Sequence, residues 1–397
     1  MNAEANEGIT REALVERARA LAPALRARAE ATGAARRLSV ETIQDFQDAG
    51  FFRILQPARW GGLEMDPATF FAVQIEVAAA CPSTAWVLGV VAVHAWQLAL
   101  FDPQAQEDVW GQDSSTLISS SYMPVGQVER VEGGFKLSGR WGFSSGSDHC
   151  RWAFLGAFVP PEPGSKAPDM RTFLVPRADY VLDDTWHVSG LRGTGSNDVV
   201  VQGAFVPEHR THRFKDGFLC ESPGNALNSG PLYKIPFGQL FVRSVSTPSI
   251  GMALGALEAF REVMRERVSR ADGGKGIDDP VGQRVAAEAE ATVDAARLVL
   301  ERNFARMMAC ARRGEVPSID DRVKWRFESS AAVGQCVEVV NALFAAGGSR
   351  SIFLDSPMQR YFQDIHACRA HYANNPDKPS RNYGKVLFGQ RNEDFFI

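Results

Sequence analysis

The chain of 397 residues is 45% hydrophobic and sets 43 Lys and Arg against 47 Asp and Glu, for a formal net charge of -4. That length buries more than one core, so two or three domains of an ordinary globular protein are expected, and without a basic surplus nucleic acid is excluded as a natural partner. The six cysteines are scattered without a C-x-x-C pair, and the opening stretch from Met1 to Gly33 lacks the apolar centre of a secretory signal, which predicts reduced thiols in a cytoplasm.

Up to residue 115 the texture is helical. "EALVERARALAPALRARAEATG" and "SVETIQDFQDAGFF" repeat apolar residues at three-four spacing, and Ser39 with Thr42 supplies start chemistry for the second. The most apolar run, "AWVLGVVAVHAWQLALF" (Ala85 to Phe101), approaches the roughly 20 residues of a membrane span. It carries His94 and Gln97 and has no flanking charge asymmetry, so it is read as a buried helix and no membrane is expected as a partner.

From residue 116 to 212 the chain changes to short aromatic and β-branched segments punctuated by Gly and Pro, such as "TLISSSYMPVG", "WAFLGAFVPP" and "DVVVQGAFVPEHR". Gly133 and Gly134 between alternating segments predict a hairpin. Within "GRWGFSSGSDHCRWAFLGAFV" (Gly139 to Val159) the alternation is broken by Ser144, Ser145, Gly146 and Ser147. Such a cluster either turns the chain or presents small polar groups to something held there. "GLRGTGSND" lacks the Lys-Ser/Thr of a phosphate loop and precedes a strand, which disfavours a nucleoside triphosphate.

Long helical patterns return over residues 230–397, with four segments in succession pointing to an antiparallel bundle. No metal signature is present: His366 and His371, five residues apart, lie about 140° apart around a helix and share no face. There is no G-x-S-x-G elbow. Taken singly, Trp86 and Trp96 suit a core and His94 suits a satisfied buried histidine, while His371, near a helix end, suits either a base or a partner of the helix dipole.

In combination, "LQPARWGGLEMD", "CPSTAWVLGVVAVHAWQLALF", "ISSSYMPVG", "GRWGFSSGSDH", "WHVSGLRGTGSNDVVV" and "RYFQDIHACRAH" resemble the flavin monooxygenases built on the acyl-CoA dehydrogenase fold. These are oxygenase components of two-component systems, such as the 4-hydroxyphenylacetate 3-hydroxylases and the phenol hydroxylase of a seco-steroid. The matching stretches run from Phe51 to His371. The resemblance implies an α+β fold with an N-terminal α-domain (1–115), a central β-barrel or sandwich (116–212) and a C-terminal four-helix bundle (230–397). It further implies reduced FMN, with FAD as the alternative, supplied by a separate NAD(P)H-dependent flavin reductase, reaction with O2 through a C4a-hydroperoxyflavin, hydroxylation of a small aromatic substrate beside a phenolic hydroxyl, and a cytoplasmic homotetramer.

Carried onto this chain, the resemblance puts Trp86, Ser120, Phe143, Ser144, Ser145 and Ser196 at the flavin, with Ser145 stabilising the oxygen adduct at N5. It puts Gly347, Gly348 and Ser349 at a neighbouring subunit's cofactor. His94, Trp96, Phe241 and His371 fall in the substrate pocket, with His371 as the base that accepts the phenolic proton, and Trp86, Trp96, Phe143 and Phe241 keep water out. Two departures stand out. No Glu occurs between Glu338 and Glu393, so the catalytic Glu of acyl-CoA dehydrogenases has no counterpart, and Gly238 falls where the 4-hydroxyphenylacetate enzymes carry an Arg. An N-, S- or indole-oxygenating relative, an acyl-CoA dehydrogenase with a displaced base, and a ligand-binding bundle without turnover stay open as alternatives.

Overall fold

The computed structural model describes residues 8–161, 169–268 and 273–397. Among the described residues five α-helices precede the sheet: α1 (Arg11–Ala35), α2 (Val40–Ala49), α3 (Pro67–Ala80), α4 (Pro82–Leu98) and α5 (Pro103–Trp110). Their starts follow from local chemistry. The hydroxyls of Thr10 and Ser39 accept from Ala13 N and Thr42 N, and Asp66 and Asp102 do the same for helices whose first residue is proline, whose missing N–H is no loss there. The apolar run is α4, buried along almost its whole length.

The sheet has seven strands: β1 (Ile118–Val131), β2 (Gly134–Ser144), β3 (Trp152–Val159), β4 (Asp169–Pro176), β5 (Tyr180–Asp183), β6 (Asn197–Pro207) and β7 (Thr211–Arg213), in the order β5-β6-β2-β1-β3-β4-β7. β1 and β2 form the hairpin expected at Gly133, whose φ of 78° is the left-handed conformation glycine adopts freely. β1 pairs antiparallel with β2 and parallel with β3, and its register slips between Ser121 and Gly126. The slip bends the sheet around Trp141, whose indole N–H donates to Gly156 O at 2.8 Å and whose ring leaves no room for a side chain on Gly126. Phe135, Leu137, Leu155 and Phe173 fill the same core.

After the short α6 (Phe214–Leu219) come α7 (Phe237–Ser246), α8 (Pro248–Glu266), α9 (Pro280–Arg312), α10 (Ile319–Ala346), α11 (Pro357–Ala370) and α12 (Asp377–Leu387). The helices before and after the sheet share one continuous apolar core, in which Phe71 of α3 stacks on Phe304 of α9 at 5.0 Å. α3 and α8 approach so closely that a Cβ on Gly251 would lie 2.3 Å from Ile75 O and 2.5 Å from Ala78 Cβ. α4 is thus wedged between the bundle and the sheet, and both sides of the site are built on it.

Gly251→Ala must push α3 from α8, which overpacks the core at a cost of about 1–3 kcal/mol. A lowered urea midpoint with native circular dichroism is the expected result, and an unchanged midpoint contradicts so close a crossing.

Candidate active site

β2 ends at the Ser-Ser-Gly-Ser interruption, where the backbone turns sharply. Phe143 adopts φ 65°, a left-handed conformation uncommon for a residue with a side chain, Ser145 N donates back to Phe143 O at 3.0 Å, and Gly146 follows at φ 71°. A Cβ on Gly146 would stand 2.8 Å from Val87 Cγ1, so the corner is pressed onto α4. Gly146 N also donates to Thr194 O at 2.9 Å, tying the corner to the loop before β6.

This packing brings four polar side chains into one row. Trp86 Nε1 of α4 donates to Ser145 Oγ at 3.1 Å, Ser145 Oγ meets Ser196 Oγ at 2.7 Å, Ser196 Oγ meets Thr194 Oγ1 at 2.6 Å, and Thr194 Oγ1 donates to Leu191 O at 3.0 Å. The two ends fix the direction of the row. An indole N–H can only donate and a carbonyl can only accept, and each hydroxyl owns one proton. Thr194 therefore receives from Ser196, Ser196 from Ser145, and Ser145 from Trp86. Ser145 has spent its proton and retains one unused lone pair. Beside it the buried hydroxyls of Ser144 and Ser147 have no partner among the described residues. The carboxylate of Asp364 on α11 anchors the row's far end by accepting Leu191 N at 2.5 Å, and burial raises this carboxyl to about 6.

Beyond Trp86 lies an aromatic enclosure. His371 packs edge-on against Trp86 with centroids 5.6 Å apart and lies 6.4 Å from Phe241. Phe241 meets Tyr122 at 4.9 Å and stacks with Phe237 at 5.8 Å. On the other side His94 touches Tyr122 at 6.2 Å and Phe154 at 5.5 Å. Tyr122 itself donates to Gln97 Oε1, and burial raises its phenol well above the ordinary range.

The partners of the two imidazoles fix opposite tautomers. His94 Nδ1 lies 2.6 Å from Ile118 O, so it carries the proton, and the buried Nε2 lone pair has no partner. His371 Nδ1 accepts Ala373 N at 3.1 Å, so its proton sits on Nε2. Burial lowers both rings to about 4, assisted at His371 by the Arg326 guanidinium, and both are neutral at physiological pH. In this arrangement the Nδ1 lone pair of His371 is engaged by Ala373 N, whereas the Nε2 lone pair of His94 is without a partner among the described residues.

The other expected residues divide. Ser120 lies on β1 in the same strand as Tyr122. Trp96 is held behind the enclosure, donating to Leu232 O at 2.9 Å and stacking on Phe237 at 6.3 Å. Phe143 is 67% exposed, standing against Trp186 at 5.9 Å, because the left-handed turn throws its ring outward. Gly347, Gly348 and Ser349 follow α10, and among the described residues no hydrogen bond or ring contact joins them to the Ser145 group; the exposed Ile352, Phe353 and Leu354 lie next to them. Thr194, Tyr122, Phe237 and Asp364 were not expected. The only signal for Thr194 lay in "GLRGTGSND", where the shape of the loop rather than its hydroxyls drew attention.

Two family models match, the N-terminal domain of acyl-CoA dehydrogenase over residues 10–113 and its C-terminal domain over residues 244–376. The chain is 42% identical over 376 residues to the flavin-dependent monooxygenase oxygenase subunit HsaA of Rhodococcus jostii (strain RHA1), covering 94% of this chain and 98% of that one. It is 35% identical to the oxygenase component of the FADH(2)-dependent resorcinol hydroxylase of Rhizobium sp. (strain MTP-10005), over 95% of this chain and 94% of that one. Among solved structures, the 3-HSA hydroxylase from Rhodococcus sp. RHA1 superposes with a TM-score of 0.92 at 42% identity, covering 97% of this chain and 98% of that one.

The lowered imidazoles give the fold an acid sensitivity. His94, His212 and His371 each fall from 6.5 to about 4 in the folded state, so the unfolded chain binds more protons in that window and stability is lost as pH falls from 6.5 towards 4. Asp364, raised to about 6, acts in the opposite sense together with the carboxyls of Asp216 and Glu258, which burial also raises, while His149, lowered by burial, adds to the other imidazoles. Urea midpoints taken stepwise across this window should decline, and less steeply in His94→Asn; a level or rising midpoint contradicts neutral buried imidazoles.

Proposed function

The chain belongs to the flavin-dependent monooxygenase oxygenase subunits of the acyl-CoA dehydrogenase fold, and from that premise we propose that it hydroxylates a phenol at the ring carbon beside the hydroxyl, with the Tyr122, Phe237 and Phe241 enclosure as the seat of the ring. It is a reduced-flavin monooxygenase of mixed α+β architecture, and a separate reductase supplies the flavin. The name of the Rhizobium relative favours FADH2 over the FMN first expected. The observation that carries the reading is the pair of neutral imidazoles with opposite tautomers on either side of one aromatic enclosure, adjoining the Ser145 row.

The residues present fit a reduced isoalloxazine. The ring's N5–H is a donor, and the spare lone pair of Ser145 is an acceptor whose own proton is committed to Ser196. Ser144 and Ser147 add buried hydroxyls that await partners. When bound, reduced flavin activates O2 and delivers one oxygen atom. What Ser145 would contribute is an acceptor for N5–H that cannot readily take the proton outright and so holds it in place. The apolar surfaces of Trp86 and Phe241 limit water access, which serves the same end.

His94 Nε2 receives the phenolic hydrogen bond. As oxygen attaches to the ring, positive charge develops on the phenol oxygen, its proton becomes strongly acidic, and even an imidazole of low basicity takes it. His371 Nε2–H donates from the other side and orients the incoming oxygen or the phenol oxygen. A thioester dehydrogenase is disfavoured because no Glu occurs between Glu338 and Glu393 to serve as its carboxylate base. We further infer a cytoplasmic homotetramer in which Gly347, Gly348 and Ser349 reach a neighbour's cofactor. The exposed apolar Ile352–Leu354 segment beside them supports that interface, and the free cysteines suit a reducing compartment.

His94→Asn keeps a donor for Ile118 O but has no lone pair at the Nε2 position. Product per flavin oxidised should fall by about 10²-fold, the ordinary contribution of a general base, while oxygen is still consumed as hydrogen peroxide; full coupling in this variant contradicts the assignment. In the wild type, coupling should be level from pH 6 to 8 and fall as His94 protonates towards its value of about 4. A decline with a midpoint near 6.5 would mean that an unburied histidine is responsible.

A further inference from the structure

The closing segment Gly389–Ile397 follows α12 and returns across the bundle to the aromatic enclosure. It is pinned by a dense polar clasp. Asn382 Oδ1 accepts Glu393 N at 2.9 Å, Asn382 Nδ2 donates to Asn392 Oδ1 at 2.8 Å, and the Asp394 carboxylate accepts both Phe396 N at 3.0 Å and Lys378 Nζ at 3.1 Å. Asp394 is buried, although charged, because those partners replace its water. Lys378 also donates to Tyr372 OH at 3.1 Å, on the residue after His371.

The clasp delivers Phe396 to the enclosure. Its ring stacks on Phe214 at 5.4 Å and stands edge-on to Phe237 at 6.1 Å and Phe241 at 5.5 Å. Space for this is made by Gly238: a Cβ there would lie 2.9 Å from Phe396 C and 3.0 Å from Ile397 N. Backbone of the closing segment fills the place that a side chain at residue 238 would take. Ile397 behind it is fully buried. A purely surface-bound tail would need neither the missing side chain nor the buried aspartate.

We propose that Phe396, seated by Gly238 and held by the Asp394–Lys378 clasp, is the outer wall of the aromatic seat and sets the size of the substituent a bound phenol can carry. This rests on the reading of the enclosure as a phenol site. Removing the ring opens the side of the seat flanked by Phe237 and Phe241, so small phenols lose contact while phenols with a bulky substituent gain room. A Cβ at Gly238 displaces the same wall without altering any side chain of the segment.

The test is equilibrium binding of phenol and 4-phenylphenol to flavin-free wild type, Phe396→Ala and Gly238→Ala, followed by product formation with reduced flavin. The expected result is a shift of the affinity ratio towards 4-phenylphenol by about tenfold or more in Phe396→Ala, the scale on which apolar pockets discriminate size, with a smaller shift of the same sign in Gly238→Ala and native circular dichroism in both. An unchanged ratio in both variants, with both compounds bound, overturns the wall alone. Failure of both phenols to bind the wild type and both variants, while reduced flavin still binds them, overturns the phenol reading and the wall with it.

Discussion

The site depends on one directional run of hydrogen bonds, from Trp86 through Ser145, Ser196 and Thr194 to Leu191. It crosses three parts of the fold: α4, the end of β2 and the loop before β6. Because its terminal donor and acceptor cannot exchange roles, every hydroxyl proton between them has a fixed place. In a buried setting such a run is also stronger than its isolated members, since each bond polarises the next. The left-handed turn at Phe143 and the clearance at Gly146 place Ser145 in line, and Asp364 holds the backbone on which the run ends.

The same burial determines the chemistry on the far side of Trp86. Neither His94 nor His371 can afford a charge in the enclosure, so each stays neutral and its tautomer is dictated by a backbone group, a carbonyl for His94 and an amide for His371. One residue type thus yields an acceptor and a donor in a single apolar room. The aromatic cluster is assembled from α4, β1, α7 and the segment after α11, where the sheet and the bundle meet on α4. The closing segment adds Phe396 to that room from the far end of the chain.

Much of this is visible in the order of residues, and the rest is hidden for physical reasons. The burial of α4 follows from an apolar run too polar at His94 and Gln97 for lipid, and the β1–β2 hairpin follows from Gly133. Ser144 to Ser147 announce themselves by breaking an alternation. What spacing cannot reveal is which nitrogen of a histidine is free, because that depends on Ile118 O and Ala373 N, groups present in every chain. Nor can it show that Thr194 terminates a proton order, since threonine in a loop is ordinary. Nor does spacing show that Phe143 is exposed at the corner, because a single positive φ sets the direction of its ring. Phe396 meets Phe241 across most of the bundle's sequence length, and no local pattern encodes so distant a contact.

The central claim is that the fixed order of protons, rather than the mere presence of Ser145, keeps oxygen on the path to product. Thr194→Val removes the run's last hydroxyl while preserving shape, and leaves Trp86 and Ser145 in place. The direct measurement is hydrogen peroxide released per reduced flavin oxidised, in wild type and Thr194→Val, with flavin affinity determined in parallel. The account predicts near-unchanged affinity and a several-fold larger peroxide leak; equal leaks at equal affinity would contradict it.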